Sequence, residues 1–83
     1  MNKALEYILE KYPDHRHKIM ALYAADEDFR ALCEDYLIST TSLEEYRNIA
    51  IKDREVESEY TQVCIELDKE IIQVLGNDHK SAI

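Results

Sequence analysis

The clearest structural signal in this chain lies between Asp26 and Asn48, where the sequence reads DEDFRALCEDYLISTTSLEEYRN. Asp26 is a typical N-cap residue, and the two acidic residues after it suit the first turn of a helix. The apolar residues that follow recur in steps of three and four, a pattern that repeats every seven residues and is typical of a coiled-coil seam. We therefore expect an amphipathic helix over residues 26–48, with seam positions Phe29, Leu32, Tyr36, Leu43 and Tyr46.

The polar segment 39–42 allows a different interpretation of this stretch. Ser42 and Glu45 have the spacing of a capping box, which starts helices, and Ser and Thr are weak helix formers. A helix that began at Ser42 would continue to Leu75 and exceed thirty residues. Such a length is unusual in a globular protein, where helices of about 8–20 residues are typical.

The second interpretation places the break at residues 48–53. Asn48 would close the first helix in the left-handed conformation, and Asp53 would cap a second helix over residues 54–75. Each helix would be about 22 residues or ~33 Å long. Matched lengths with a short connection favour an antiparallel hairpin, and we favour this interpretation. The seam positions of the second helix are Val56, Tyr60, Val63, Leu67 and Ile71.

Two shorter helices are predicted before the hairpin, over residues 3–11 and 13–24. Pro13 ends the first, because it restricts the residue before it, and it suits the first turn of the second. Gly76 ends the last helix, and residues 77–83 are predicted to form a flexible tail. The fold prediction is one all-α domain over residues 1–76, with two short helices leading into a long, coiled-coil-like antiparallel hairpin.

Composition narrows the functions that this chain can have. Its 18 acidic and 10 basic residues give a net charge of −8, which argues against binding to nucleic acid or to anionic membranes. A single glycine excludes the glycine-rich phosphate-binding motifs, which need at least two. No apolar run approaches the ~18–20 residues that cross a bilayer, and the N-terminus does not resemble a signal peptide. Two cysteines fit a reducing cytoplasm, so we expect a cytoplasmic protein.

Residues 17–36 contain the pattern His–x–Ile–x–x–Leu followed by Asp–x–x–Phe–x–x–Leu–x–x–x–Tyr, and residues 67–71 read Leu-Asp-Lys-Glu-Ile. This pattern resembles that of the YdcH-like small bacterial proteins, which are helical hairpins of unknown function. The helix over residues 3–11 and the section around 48–54 depart from this pattern. The chain alternatively resembles a separate, similarly uncharacterised group of small acidic helical proteins. The resemblance implies a helical hairpin and a bacterial cytoplasmic origin, and it implies no catalytic residue.

Few residues could bind a metal or respond to oxidation. His15 and His17 are two residues apart, so a regular helix directs them to different sides and only an extended turn would bring them to one metal. Cys33 and Cys64 fall on opposite arms of the predicted hairpin, about one turn apart, and a disulfide needs Cα atoms within ~7 Å. We predict no metal site, no cofactor and no catalytic residue. A metal- or redox-responsive regulator that uses these residues is the alternative function.

The sustained seam and the lack of site chemistry predict a protein-interaction or assembly module, and not an enzyme. The acidic clusters suit solvated helix faces, or alternatively a docking surface for a basic partner. Self-association is also expected, as a homodimer, because small helical chains often need a second copy to complete their core. Either this copy or the two short helices would cover the apolar residues that the seam leaves over, which are Ile38, Ile49, Ile51 and Ile72.

Overall fold

The computed structural model of the chain describes residues 2–49 and 53–76, and these residues form four α-helices and one short 3-10 turn. Helix α1 spans Lys3–Lys11, the 3-10 turn spans Pro13–His15, α2 spans Arg16–Ala25, α3 spans Glu27–Arg47 and α4 spans Arg54–Gly76. The described residues contain no strand, so the predicted all-α fold class is confirmed. The predicted tail, residues 77–83, lies outside the described part of the chain, as does Ile51.

Side-chain caps start three of the helices. The side-chain oxygens of Asn2, Asp26 and Asp53 each accept a hydrogen bond from the amide two residues later, at 2.8, 2.9 and 2.8 Å. Each bond satisfies an amide that has no partner inside its own helix. The caps predicted at Asp26 and Asp53 are confirmed, whereas the cap at Asn2 was not predicted.

Helix α3 continues without a break through residues 39–42, so the capping-box interpretation is wrong. The Thr40 hydroxyl donates a 3.0 Å hydrogen bond to the carbonyl of Tyr36, which lets a polar residue sit inside the helix. The predicted left-handed conformation of Asn48 is also wrong, because its φ is −92°. Its amide instead donates to the carbonyl of Glu45 at 3.1 Å, and this tighter final turn closes the helix without a positive φ.

The core forms where all four helices meet. Every member of this buried cluster is apolar, and burying one Leu, Ile or Phe side chain contributes about 1.5–3 kcal/mol. Because α1 contributes three members, it is an integral part of the core and not an appendage to the other helices. The cluster consists of Ala4, Ile8, Leu9, Ile19, Phe29, Cys33, Tyr36, Ile71 and Leu75.

Polar contacts join the C-terminal half of α4 to the N-terminal part of the chain. The Tyr12 hydroxyl, just after α1, donates a hydrogen bond to the carboxylate of Asp68. The Lys18 ammonium of α2 donates to the carbonyl of Leu75 at 3.0 Å. These bonds fix the end of α4 against the two short helices.

The N-terminal end of α4 contacts the end of α3. The rings of Tyr46 and Tyr60 lie 5.5 Å apart between centroids, a distance at which aromatic pairs attract each other. The Tyr46 hydroxyl donates to the carbonyl of Asp53 at 3.0 Å, and Arg47 Nε donates to the Glu57 carboxylate at 3.3 Å. These contacts join the end of α3 to the start of α4.

Three of the leftover isoleucines are exposed to solvent. Ile38, Ile49 and Ile72 keep 62%, 48% and 52% of their surface accessible. The expectation that the two short helices cover them is wrong, because α1 and α2 bury their apolar residues in the core cluster instead.

Candidate interaction surface

The structure divides the ten predicted seam residues by their burial. The buried members pack inside the chain's own fold and cannot reach a partner while it stays folded. The others are half-buried or exposed; of these, Leu32 and Leu67 pack against the core cluster and keep only part of their surface accessible. The set comprises the buried Phe29, Tyr36, Leu43 and Ile71, the half-buried Leu32, Tyr46, Val56 and Leu67, and the exposed Tyr60 and Val63.

Two shallow depressions lie along one side of α4. The first has a volume of about 280 Å³ and is lined by Val56, Glu59, Tyr60 and Val63. Within it, Tyr60 and Val63 remain 36% and 48% exposed. Exposed apolar side chains grouped in this way make the depression a candidate contact site.

The second depression lies nearer the C-terminal end of α4, where this helix meets the start of α3. It measures about 240 Å³, and its apolar walls come from Phe29, Leu32 and Val74. Acidic residues complete its lining, with Glu70 from α4 and Asp28 from α3 among them. Both depressions thus combine apolar walls with carboxylates.

Helical periodicity connects the two depressions. Residues seven apart on a helix lie almost directly above one another, and residues three or four apart are neighbours. One such row runs through positions 56, 63 and 70, and the next runs through 60, 67 and 74. We name the apolar residues of this surface the open groove; they are Leu32, Val56, Tyr60, Val63, Leu67 and Val74.

Exposed carboxylates border the open groove. Glu59, Glu66 and Glu70 of α4 and Asp28 of α3 are all exposed to solvent. Helix α4 as a whole carries six acidic and two basic residues. A surface lined by charges of one sign attracts partners of the opposite sign.

The two arginines of α3 bind groups of their own chain and offset little of this charge. Arg30 donates a 2.8 Å hydrogen bond to the carbonyl of Tyr23, and Arg47 forms a 3.3 Å ion pair with Glu57. Neither of these contacts involves a carboxylate of the groove border. The border therefore stays acidic.

The two cysteines are free thiols in different environments. Cys33 is fully buried, and burial, with a smaller contribution from Glu34, raises the pKa of its thiol to about 12. Burial also raises the pKa of Cys64, although Arg47 acts in the opposite direction. Cys33 belongs to the core cluster together with Ile71 of α4. Cys64 lies seven residues before Ile71, which is ~10 Å away along the axis of α4.

His15 and His17, the two histidines in the described part of the chain, do not converge on a metal site. His15 lies in the 3-10 turn and His17 in α2, and both side chains are exposed. Within residues 2–49 and 53–76, no group of three or more His, Cys, Asp or Glu residues is placed to hold a metal ion.

A wider depression of about 480 Å³ lies beside α1. Lys3 and Arg16 line it together with Glu6 and Glu10, and the ring of Tyr7 forms part of its wall. The two positive and two negative charges cancel. The depression therefore selects neither an anion nor a cation, and we assign it no ligand.

The predicted interaction seam covers the open groove except for one residue. The apolar stripe predicted for the second helix of the hairpin includes Val74, but the seam predicted for contact ends at Ile71, although Val74 lies seven residues after Leu67 and continues the same row. The acidic border was not predicted as one surface, because Asp28 and Glu59 fell in separate charge clusters and Glu66 and Glu70 fell in none. The heptad spacing that these residues share is the pattern that would have predicted them as one surface.

Comparison with models of known protein families, with characterised proteins and with solved structures finds no match to this chain. None of the helices in the described ranges is long and apolar enough to span a membrane. The resemblance to the YdcH-like proteins therefore stays a prediction, and a functional proposal depends on the chain's own surface.

Proposed function

We propose that this chain is a small cytoplasmic protein-interaction or assembly module that binds a helical partner through its open groove. The observation that carries the proposal is the exposure of Tyr60 and Val63, at 36% and 48%, on seam positions of α4. Their periodic neighbours Val56 and Leu67 are only half-buried. A helical partner placed there would remove this apolar surface from water, which is the main driving force of association.

The proposed architecture is a coiled-coil-like antiparallel hairpin of α3 and α4, preceded by two short helices. Its support is a pair of observations at opposite ends of α3 and α4. Tyr46, late in α3, packs against Tyr60, early in α4. Phe29, early in α3, shares a buried cluster with Leu75, late in α4. In such a hairpin the open groove follows the helix axes, so an elongated helical partner suits it better than a compact ligand.

The cytoplasmic part of the proposal is supported by the thiols. Cys33 and Cys64 are unpaired, as expected in a reducing compartment. The alternative function, a metal- or redox-responsive regulator, stays a prediction of its own. Mass spectrometry of the oxidised chain would check it, because an intramolecular disulfide removes two hydrogens from the mass.

The proposed function is tested by purifying the tagged chain from its native cells in three forms: wild type, Val63→Lys and Ile72→Lys. Ile72 is a matched control, because it is 52% exposed and lies nine residues from Val63 on the same helix. Nine residues are two and a half turns, so the two side chains point to opposite sides. Both substitutions place a lysine on a surface position of α4.

The expected result is a protein that co-purifies with the wild type and with Ile72→Lys but is lost with Val63→Lys. Thermal melts of the three purified chains check that the variants remain folded. A partner retained by all three chains would contradict the proposal, as would the absence of any specific partner while the wild type is monomeric.

A further inference from the structure

We infer that the occupant of the open groove is a basic amphipathic helix from a different protein. The inference rests on the proposed function and adds the chemistry of the partner. Apolar side chains and carboxylates together line both depressions of the open groove. A helix with an apolar stripe flanked by lysine or arginine matches both features.

Charge favours this occupant over a second copy of the chain. Two copies that met through the open groove would bring Glu59, Glu66 and Glu70 of each chain towards the same residues of the other. Each chain carries a net charge of −8 and adds to this repulsion. Like charges that face each other across an interface are strongly unfavourable, whereas opposite charges speed and direct association. A basic helix would turn the same carboxylates into attractive contacts.

The dimensions of the open groove set the length of the partner helix. From Val56 to Val74 the groove covers 18 steps along α4, which is ~27 Å at 1.5 Å per residue. A helix that fills both depressions therefore needs about 18 residues, or five turns. Its apolar residues would follow the spacing i, i+3, i+4 and i+7 that helices use in grooves.

The depressions suit side chains better than small molecules. Their volumes of about 280 and 240 Å³ fall below the ~300–1,000 Å³ of ordinary small-molecule pockets. Each combines apolar walls with carboxylates and is open to solvent. One or two Leu-sized side chains of a docked helix would fill each of them.

The test uses three synthetic peptides of about 18 residues and the full chain. The first has leucines at i, i+3, i+4 and i+7 positions and lysines elsewhere. The second keeps the leucines and replaces every lysine by glutamate. The third has the composition of the first in an order without an apolar stripe. Binding is measured by fluorescence anisotropy of labelled peptide at about 50 and about 500 mM salt, because screening separates charge from apolar contact.

The lysine peptide is expected to bind at least about tenfold more tightly than either of the other two, and more weakly at the higher salt. Val63→Lys should weaken its binding at least about tenfold, and Ile72→Lys should leave it unchanged. Replacing Glu59, Glu66 and Glu70 together by Gln, which keeps their size, should weaken binding about tenfold at the lower salt and much less at the higher.

Three results would overturn the inference. The first is equal affinity for the lysine and glutamate peptides, which would show that the border plays no part. The second is no binding of the lysine peptide while a native partner is still lost with Val63→Lys; this refutes the basic helix but leaves the proposed function standing. The third is a stable dimer in light scattering that Val63→Lys dissociates, which assigns the open groove to a second copy.

Discussion

Replacing Ile71 and Ile72 by alanine, one at a time, tests which side of α4 belongs to the core. The two residues are adjacent and identical, yet Ile71 is fully buried and Ile72 is 52% exposed. Consecutive residues of a helix point about 100° apart, so the face that α4 turns to the core decides their difference. The same face determines which side of α4 is left for a partner.

The magnitudes follow from burial. Truncating a buried isoleucine to alanine costs about 2–5 kcal/mol, since it removes apolar contact and leaves a cavity. At about 0.05–0.15 kcal/mol per residue, a chain of 83 residues is stable by only ~4–12 kcal/mol. Ile71→Ala should therefore remove a large part of the free energy of unfolding. Ile72→Ala should change it by no more than about 0.5 kcal/mol, as is usual at the surface.

The assay is urea unfolding of both variants and the wild type, followed by circular dichroism at several protein concentrations. We expect a large decrease in the midpoint for Ile71→Ala and almost none for Ile72→Ala. Equal midpoints, or a larger loss for Ile72→Ala, would refute the assignment of this face. A loss for Ile72→Ala that grows with protein concentration would show that a second copy covers Ile72, since dimer stability depends on concentration.

Three further predictions concern the continuity of α3 and the thiols. Thr41→Pro should cost about 3 kcal/mol or more, because proline breaks a helix interior. Ile49→Pro should cost less, because it removes the 3.2 Å bond to the Tyr46 carbonyl, worth about 1 kcal/mol, and disfavours the α-region backbone of Asn48, but interrupts no helix interior. Equal losses in urea unfolding would contradict the end of α3. A thiol reagent at neutral pH should label the half-buried Cys64 well before the fully buried Cys33. Mass spectrometry of the digested chain measures the order of labelling, and labelling of Cys33 first would contradict this prediction. The free energy of unfolding should fall as pH rises above 9. The unfolded chain loses the Cys33 proton near that pH, whereas the pKa of Cys33 in the folded chain is about 12. If the free energy of unfolding of Cys33→Ala fell with the same slope against pH, this cause would be refuted.

The helices themselves were predictable because their signals are local. Asp26 and Asp53 cap the amides that follow them in sequence, and Pro13 acts on its immediate neighbours. The bounds of α1 agree with the predicted range, and those of α3 and α4 differ from it by one residue. The predicted start of the second helix is wrong, because Pro13–His15 form a 3-10 turn and α2 begins at Arg16. Such signals involve residues a few positions apart, and so the sequence contains all the information that they need.

The side of each helix that faces solvent was not predictable in the same way. The heptad pattern treats Ile71, Tyr60 and Val63 alike, although the first is fully buried and the last is 48% exposed. The difference arises because the core cluster gathers at the C-terminal end of α4, where α1 and α2 also pack. That arrangement depends on contacts between residues more than fifty positions apart, such as Tyr12 and Asp68.

The end of α3 shows a smaller failure of the same kind. Asn48 was expected in the left-handed conformation because asparagine tolerates it. Its amide instead bonds to the carbonyl of Glu45, and the Tyr46 hydroxyl binds the Asp53 carbonyl across the turn. The second contact links two helix ends, which a propensity for one residue cannot anticipate.

The most direct test of the open groove is a titration of the ¹⁵N-labelled chain with the lysine peptide, followed by NMR. We expect the largest amide shift changes at Val56, Tyr60, Val63 and Val74, and little change at Ile72 on the opposite side of α4. Shift changes spread evenly over the acidic surface, or concentrated around Ile72, would show that the peptide binds by charge alone or elsewhere, and would contradict the open groove as the docking surface.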